Sequence, residues 1–327
     1  MAARMRQLSS LLQGLARLMA GKERKEEDPQ GTVLRMSGTL RGEGSGTLAA
    51  VWSRRGEKGT NQDCSVVWEG FGCQDDTVFC GIFDGHGQWG HYVSKAVRDS
   101  LPSSLFRRLD AVNSGSTALS IVKKGNMMVI ANVGDSRAVL GTTSDDGSIA
   151  AVQLTVDFKP NLPQEKARIV QCKGRVHCHE DEPGVHRVWL PDREAPGLAM
   201  SRAFGDYCVK DYGVISAPEV TQRKITARDQ FVILATDGVR DKFLLSMVVP
   251  FLCALPHHLM DVEKWGQVWD VVTNEEAVQI VADTPEREKA AKRLVQCAVR
   301  AWRRKRRGYA VDDCSAICLF LHHSPLS

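Results

Sequence analysis

The sequence predicts an α+β fold, with antiparallel sheets covered by helices, on three observations. Apolar stretches of strand length recur between turn signals from residue 47 onward, and only a few segments have helical spacing. Strands joined directly by turns outnumber strand-helix-strand units, which argues against a parallel sheet. With 327 residues, 43% hydrophobic and 25% charged, the chain can bury a sizeable core.

At the N-terminus, Leu8, Leu11, Leu12, Leu15, Leu18 and Met19 recur at helical spacing beside arginines. That pattern reads as a short amphipathic helix, either an organelle transit segment or a surface anchor, or else as a frayed extension. Gly21 to Gly46 is rich in charge, Gly and Ser, so residues 1–46 are expected to form a flexible extension and residues 47–323 the folded domain. The expected strands are "TVFCGIFDGHG", "NMMVIANVGDSRAVLGTT", "IAAVQLTVD", "DQFVILATDG" and "DCSAICLFLHH". The expected helices are "GHYVSKAVRDSLPSSLFRRL" and "EEAVQIVADTPEREKAAKRLVQCAVRAW".

A net charge of +4, concentrated in the first 22 residues and in Arg303 to Arg307, excludes a general nucleic-acid surface. The longest uncharged apolar run, Phe243 to Leu255, is too short to cross a bilayer of ~30 Å, so no transmembrane segment is expected. Ten scattered cysteines and an N-terminus without a signal peptide's apolar core point to a reducing compartment, the cytoplasm or the nucleus.

Four strand or turn ends carry an aspartate in a tight setting: Asp63 in "NQDC", Asp84 in "FDGHG", Asp237 in "ATDG", and Asp312 with Asp313 in "VDDCS". A glycine directly after Asp84 and after Asp237 lets the backbone bend, so that carboxylate and carbonyl can aim at one spot. Converging hard oxygens suit Mg²⁺ or Mn²⁺. Any single Asp-Gly is also a common hairpin turn.

In their order, "NQD", "FDGHGQWG", "SGSTA", "ANVGDSRAVL", "PGLAMSRAFGD", "ATDGV" and "DDCSAICLFL" resemble the metal-dependent type 2C serine/threonine protein phosphatases, with wording closest to plant members. The resemblance covers Val51 to His322. It implies a four-layer sandwich, helices outside two antiparallel sheets, with two Mg²⁺ or Mn²⁺ ions at one end. It also implies phosphorylated protein substrates and a monomer. Asp63, Asp84, Asp237 and Asp312 match the family's metal carboxylates, with Asp313 as the alternative to Asp312, and Gly85 matches the residue that offers its carbonyl. Paired ions would bridge and acidify a water for in-line attack. His86 matches the proposed general acid, and histidine's ordinary pKa near ~6.5 suits that role.

Asp135 matches a position that can hold a weaker third metal; a turn carboxylate paired with Arg137 is an equally good reading. The phosphate-binding arginine falls at Lys58, which binds phosphate as a point charge without a bidentate fork, so Arg54 or Arg55 is an alternative contributor. Cys172, His177, Cys178 and His179 raise a zinc reading, against which an alternating strand points its ligands both ways.

Two departures from the family stand out. The first is Val239 to Gln267, 29 residues without clear period between "ATDG" and "VWDVVTNEEAV". Joining Gly238 to Val268 restores the family wording. Valine codons begin with GT and one glutamine codon ends in AG, so the stretch has the boundaries of an in-frame retained intron; a genuine loop for a membrane surface or partner is the alternative. The second departure is a missing outer helix where Ala111 and Val112 nearly abut Asn113. Baring several hundred Å² of apolar sheet at ~25 cal/mol per Å² would cost several kcal/mol against a stability of ~5–15 kcal/mol. Two functions therefore follow: hydrolysis of phosphoserine and phosphothreonine on proteins, or a catalytically inactive splice product that acts only by binding.

Overall fold

The computed structural model describes residues 33–37, 44–45, 48–57, 59–69, 77–99, 112–180, 182–236, 271–305 and 313–322. Lys58, Asp237, Asp312, the insertion 239–267, the N-terminal 1–32 and most of the 100–112 junction lie outside them.

Two six-stranded antiparallel sheets make up the body. The first runs in the order β1 (Val33–Ser37), β4 (Cys64–Glu69), β5 (Thr77–Phe83), β8 (Ala118–Lys124), β9 (Met127–Val133), β16 (Glu219–Lys224). The second runs β11 (Ile149–Gln153), β10 (Arg137–Thr143), β17 (Asp229–Ala235), β18 (Cys314–Phe320), β3 (Ala49–Arg54), β2 (Gly44–Ser45). Two small sheets accompany them: β12 (Arg175–Cys178), β13 (His186–Trp189) and β14 (Pro196–Leu198); and β6 (Gly85–His86), β7 (Gly115–Ser116) and β15 (Phe204–Gly205). The helices are α1 (Gly90–Asp99), α2 (Pro163–Gln171), α3 (Tyr207–Lys210), α4 (Asn274–Ala282) and α5 (Ala290–Lys305).

The two-residue period of a strand explains the layers. Along β17, Val232 and Leu234 point between the sheets, while Phe231, Ile233 and Ala235 point outward under α4 and α5. In β18, Ile317 and Leu319 face inward, and Cys314, Ala316, Cys318 and Phe320 face the helices. On the first sheet Val78, Cys80 and Ile82 of β5 face inward, whereas Phe79 and Phe83 meet Val93 and Val97 of α1. The order is therefore helix, sheet, sheet, helix, as expected. α4 starts cleanly: the Thr273 hydroxyl accepts from Glu276 N (3.1 Å) and the Glu276 carboxylate accepts from Thr273 N (2.9 Å), a reciprocal cap.

Several expectations need correction. The 1–46 segment is not all extension, because Val33–Ser37 pairs with β4 and Gly44–Ser45 with β3. A five-residue edge strand flanked by glycines and charges is too short to show a period. The long "EEAVQ…AVRAW" segment is two helices, parted at Pro285, which has no N–H to give to a helical turn. "NMMVIANVGDSRAVLGTT" is two strands, β9 and β10, which lie in different sheets.

Candidate functional site

Antiparallel order brings the motif ends to one end of the sandwich. Cys64 faces Phe83 across the β4–β5 ladder, so Asp63, one residue before β4, lies opposite Asp84, one residue after β5. Asp63 is fully buried and Asp84 nearly so. In β17, Ala235 pairs with Ala316 of β18, and β18 begins at Cys314 opposite Arg54 of β3. That register puts Thr236 and Asp313 at the same end as Asp63.

Thr236 ties the two sheets together there. Its hydroxyl donates to Asp63 Oδ2 (2.9 Å) and accepts from Ser315 N (3.2 Å). Asn61 Oδ1 accepts from Asp63 N (2.9 Å), while its amide donates to Ser53 Oγ (2.9 Å). Asp84 is gripped through its backbone, its N–H donating to Thr117 Oγ1 (3.1 Å) and its carbonyl accepting from Thr117 N (2.9 Å). The glycine after it is a packing necessity: a Cβ on Gly85 would lie 2.3 Å from Gly90 O and 2.7 Å from Gln62 O. Ser94 of α1 donates to that same Gln62 carbonyl (2.6 Å) and so presses helix and loop together.

Asp313 is committed elsewhere. Its Oδ1 accepts from Gly56 N (2.6 Å) and its Oδ2 from Gln62 N (2.8 Å), so it clamps the loop that carries Asp63. Both carboxylate oxygens accept from backbone N–H groups, and Asp312 lies outside the described residues. Burial pushes the Cys64 thiol, beside Asp63, up to about 11 against a hydrogen bond from Ser94.

Asp135 pairs with Lys159 Nζ, not with Arg137. Arg137 instead forks onto Asp157 (2.5 Å) and reaches Asn274 of α4 (2.9 Å). The chain crosses from the first sheet to the second between residues 133 and 137, so neighbours in sequence meet different surroundings. His86 Nε2 lies 2.8 Å from Asp206 Oδ2, both side chains buried. Asp206 had no role assigned although "SRAFGD" was among the motifs; its sign was a left-handed-tolerant residue after a glycine.

His177 and His179 both approach Glu194, at 3.2 and 3.8 Å, and His177 stacks on Trp189. Cys172 caps the end of α2. Among the described residues no three His, Cys, Asp or Glu side chains gather into a metal-holding group, and Asp63 and Asp84 are the described carboxylates of the expected centre. That pair fits a hard divalent cation. Two buried carboxylates on facing strand ends need balancing charge, and their donors are hard oxygens.

The profile of the Protein phosphatase 2C family matches residues 91–251. A protein of Oryza sativa subsp. japonica named probable protein phosphatase 2C 48 is 60% identical over 381 positions, which take in 98% of this chain and 100% of that protein. The alignment is longer than the chain, so it opens gaps here opposite the relative. Probable protein phosphatase 2C 34 of Arabidopsis thaliana is 54% identical over 94% of this chain and 89% of its own length. Among solved structures, a serine-threonine phosphatase 2C from Toxoplasma gondii has the same fold, with a TM-score of 0.66 at 20% identity over 89% of this chain and 99% of that one.

Proposed function

The chain belongs to the protein phosphatase 2C family, and from that membership we propose that it hydrolyses phosphoserine and phosphothreonine on proteins with the help of two Mg²⁺ or Mn²⁺ ions. The observation that carries this reading is the facing pair of buried carboxylates, Asp63 and Asp84, with Gly85 and His86 directly behind.

Asp63, Asp84 and the Gly85 carbonyl would hold the ions together with Asp237 and Asp312. When bound, the ions supply Lewis acidity toward the phosphoryl oxygens and lower the pKa of the attacking water. The chain's own residues do the rest. Thr236 and Asn61 fix the Asp63 carboxylate and backbone, and Thr117 fixes the Asp84 backbone, so that neither rotates away under mutual repulsion. Lys58 binds the phosphate of the substrate, with Arg54 and Arg55, both exposed at the end of β3, as the alternative contributors. As the P–O bond breaks, His86 gives its proton to the departing serine or threonine oxygen, and the products are the free hydroxyl and inorganic phosphate. Asp135 already has Lys159 as its counter-ion, so a third metal would have to displace that ammonium.

The test is Mn²⁺-dependent phosphate release from a phosphothreonine peptide. The Asp84→Asn chain should lose at least about 10²-fold in kcat/KM and also lose the rise in melting temperature that Mn²⁺ gives the parent chain. Turnover that is indifferent to Mn²⁺ and to Asp84→Asn would sink the reading.

A further inference from the structure

The pairing of His86 with Asp206 is built from segments 120 residues apart. The small sheet β6–β7–β15 does the building: His86 pairs with Gly115, Gly115 pairs with Gly205, and Asp206 follows directly. Asp206 N donates to Ser114 O (2.8 Å), and the residue sits at φ +50°, a left-handed conformation that a carboxylate-bearing residue tolerates better than most. A Cβ on Gly115 would lie 2.1 Å from Asp206 Oδ2, so the glycine opens the space through which the carboxylate reaches the ring. Strained backbone held by its surroundings beside a reactive group is a pattern of functional sites.

We propose that Asp206 is the positioning residue of His86: its carboxylate accepts the Nε2–H of the ring, fixes the ring's orientation and tautomer, and makes Nδ1 the nitrogen that passes the proton to the leaving oxygen. The transfer starts from the imidazolium: the Nδ1–H bond breaks, the new O–H bond forms on the serine or threonine oxygen, and the neutral ring is left as the Nε2–H tautomer against Asp206. A carboxylate holding the far nitrogen of a proton-transferring histidine is a recurrent device, because it orients the ring and stabilises the imidazolium, whose other N–H then faces the reacting group. Burial of both partners excludes water that would otherwise compete for Nε2. Close by, Lys210, one turn along α3, is drawn down to about 8 by burial, an effect the Asp206 charge partly offsets.

The assignment rests on the hydrolase reading only for the identity of the proton acceptor, and a measurement on the resting chain separates the two. Long-range ¹⁵N–¹H spectra of the full chain, with the His86 signals identified by their loss in His86→Gln, report the tautomer of the neutral ring without metal or substrate. We expect Nε2–H in the parent chain. In Asp206→Asn we expect a switch toward Nδ1–H, because the carboxamide can donate to Nε2, and asparagine keeps the left-handed backbone. An Nδ1–H tautomer in the parent chain overturns the assignment.

Kinetics supply the second arm. Asp206→Asn should lower kcat on a phosphothreonine peptide about 100-fold and leave KM within about twofold. On p-nitrophenyl phosphate, whose leaving group departs without a proton, it should cost less than about threefold. Equal losses on both substrates would mean a merely structural residue. Absence of Mn²⁺-dependent turnover in the parent chain would count against the hydrolase reading, and the ring spectrum would then decide the role of Asp206 by itself.

Discussion

Thr236 holds Asp63 Oδ2 with its hydroxyl and takes the Ser315 N–H with the same oxygen, so one small side chain joins the first sheet's carboxylate to the second sheet's central strand. Replacing it by valine keeps the volume but leaves a buried carboxylate oxygen and a buried N–H short of a partner. Thr236→Val should cost about 2 kcal/mol of stability by urea titration and weaken Mn²⁺ binding in a thermal shift series. Away from the candidate site, Glu165 of α2 accepts from Arg168, Arg202 and Ser201. Burial alone would raise its carboxyl, yet those hydrogen bonds prevail and bring it from the ordinary 4.5 to about 2. A depressed carboxylate stabilises the fold above its unfolded pKa and stops doing so as pH falls through the folded value. Glu165→Gln should therefore cost about 3 kcal/mol at neutral pH, and the gap to the parent chain should close between pH 4.5 and about 2, read by denaturation at each pH. Residue-level reading of the sequence singled out Asp63 and Asp84 at strand ends, and the family resemblance added Gly85 and His86. It gave Asp206 no role and offered Arg137 as one of two readings for Asp135, whose ion pair is with Lys159, because both partnerships are made by sheet register and a crossover between sheets, which local spacing does not encode.

Among the elements, α4 shows how much of the fold is locally written. The stretch "VTNEEAV" carries its own start signal, Thr273 and Glu276 capping each other, and Val271 and Val272 are buried beside it. The helix thus begins correctly whatever precedes residue 271. Thr273→Ala should destabilise the chain by about 1 kcal/mol and leave Mn²⁺ affinity unchanged, a pair of results that denaturant and thermal titrations can separate. Strands were legible from apolar alternation wherever one face met helices and the other met the opposite sheet. The break between α4 and α5 was written in Pro285, but the helical spacing on either side is continuous enough to hide it. β1 and the paired tip β2 were not legible, because short edge strands among glycines and charges have too few residues to establish a period.

At the scale of the whole molecule, the outer layers are unequal. α4 and α5 cover the second sheet with a large cluster that includes Leu294, Val295, Val299 and Trp302, whereas among the described residues the first sheet's outer face is met by α1 alone. In the sequence the 239–267 insertion follows β17 and precedes α4, which carries its own cap. Deleting Val239–Gln267 should accordingly leave the melting temperature the same or higher, and raise Mn²⁺-dependent turnover, since closing a shorter loop costs less entropy. A fall in melting temperature on deletion would show that the insertion belongs to the core.

The place of β18 has a further consequence for how the protein comes into being. It is the last of the described strands, yet it lies between β17 and β3 in the middle of its sheet, and Asp313 just before it clamps the Gly56–Gln62 loop. A growing chain on the ribosome cannot join β3 to β17 until that final strand has emerged. Messages cut short before Cys314, including those that a faulty splice throws out of frame, would yield fragments with an open sheet and a slack loop. Such products would be silent and quickly degraded, and would not act as unregulated enzymes.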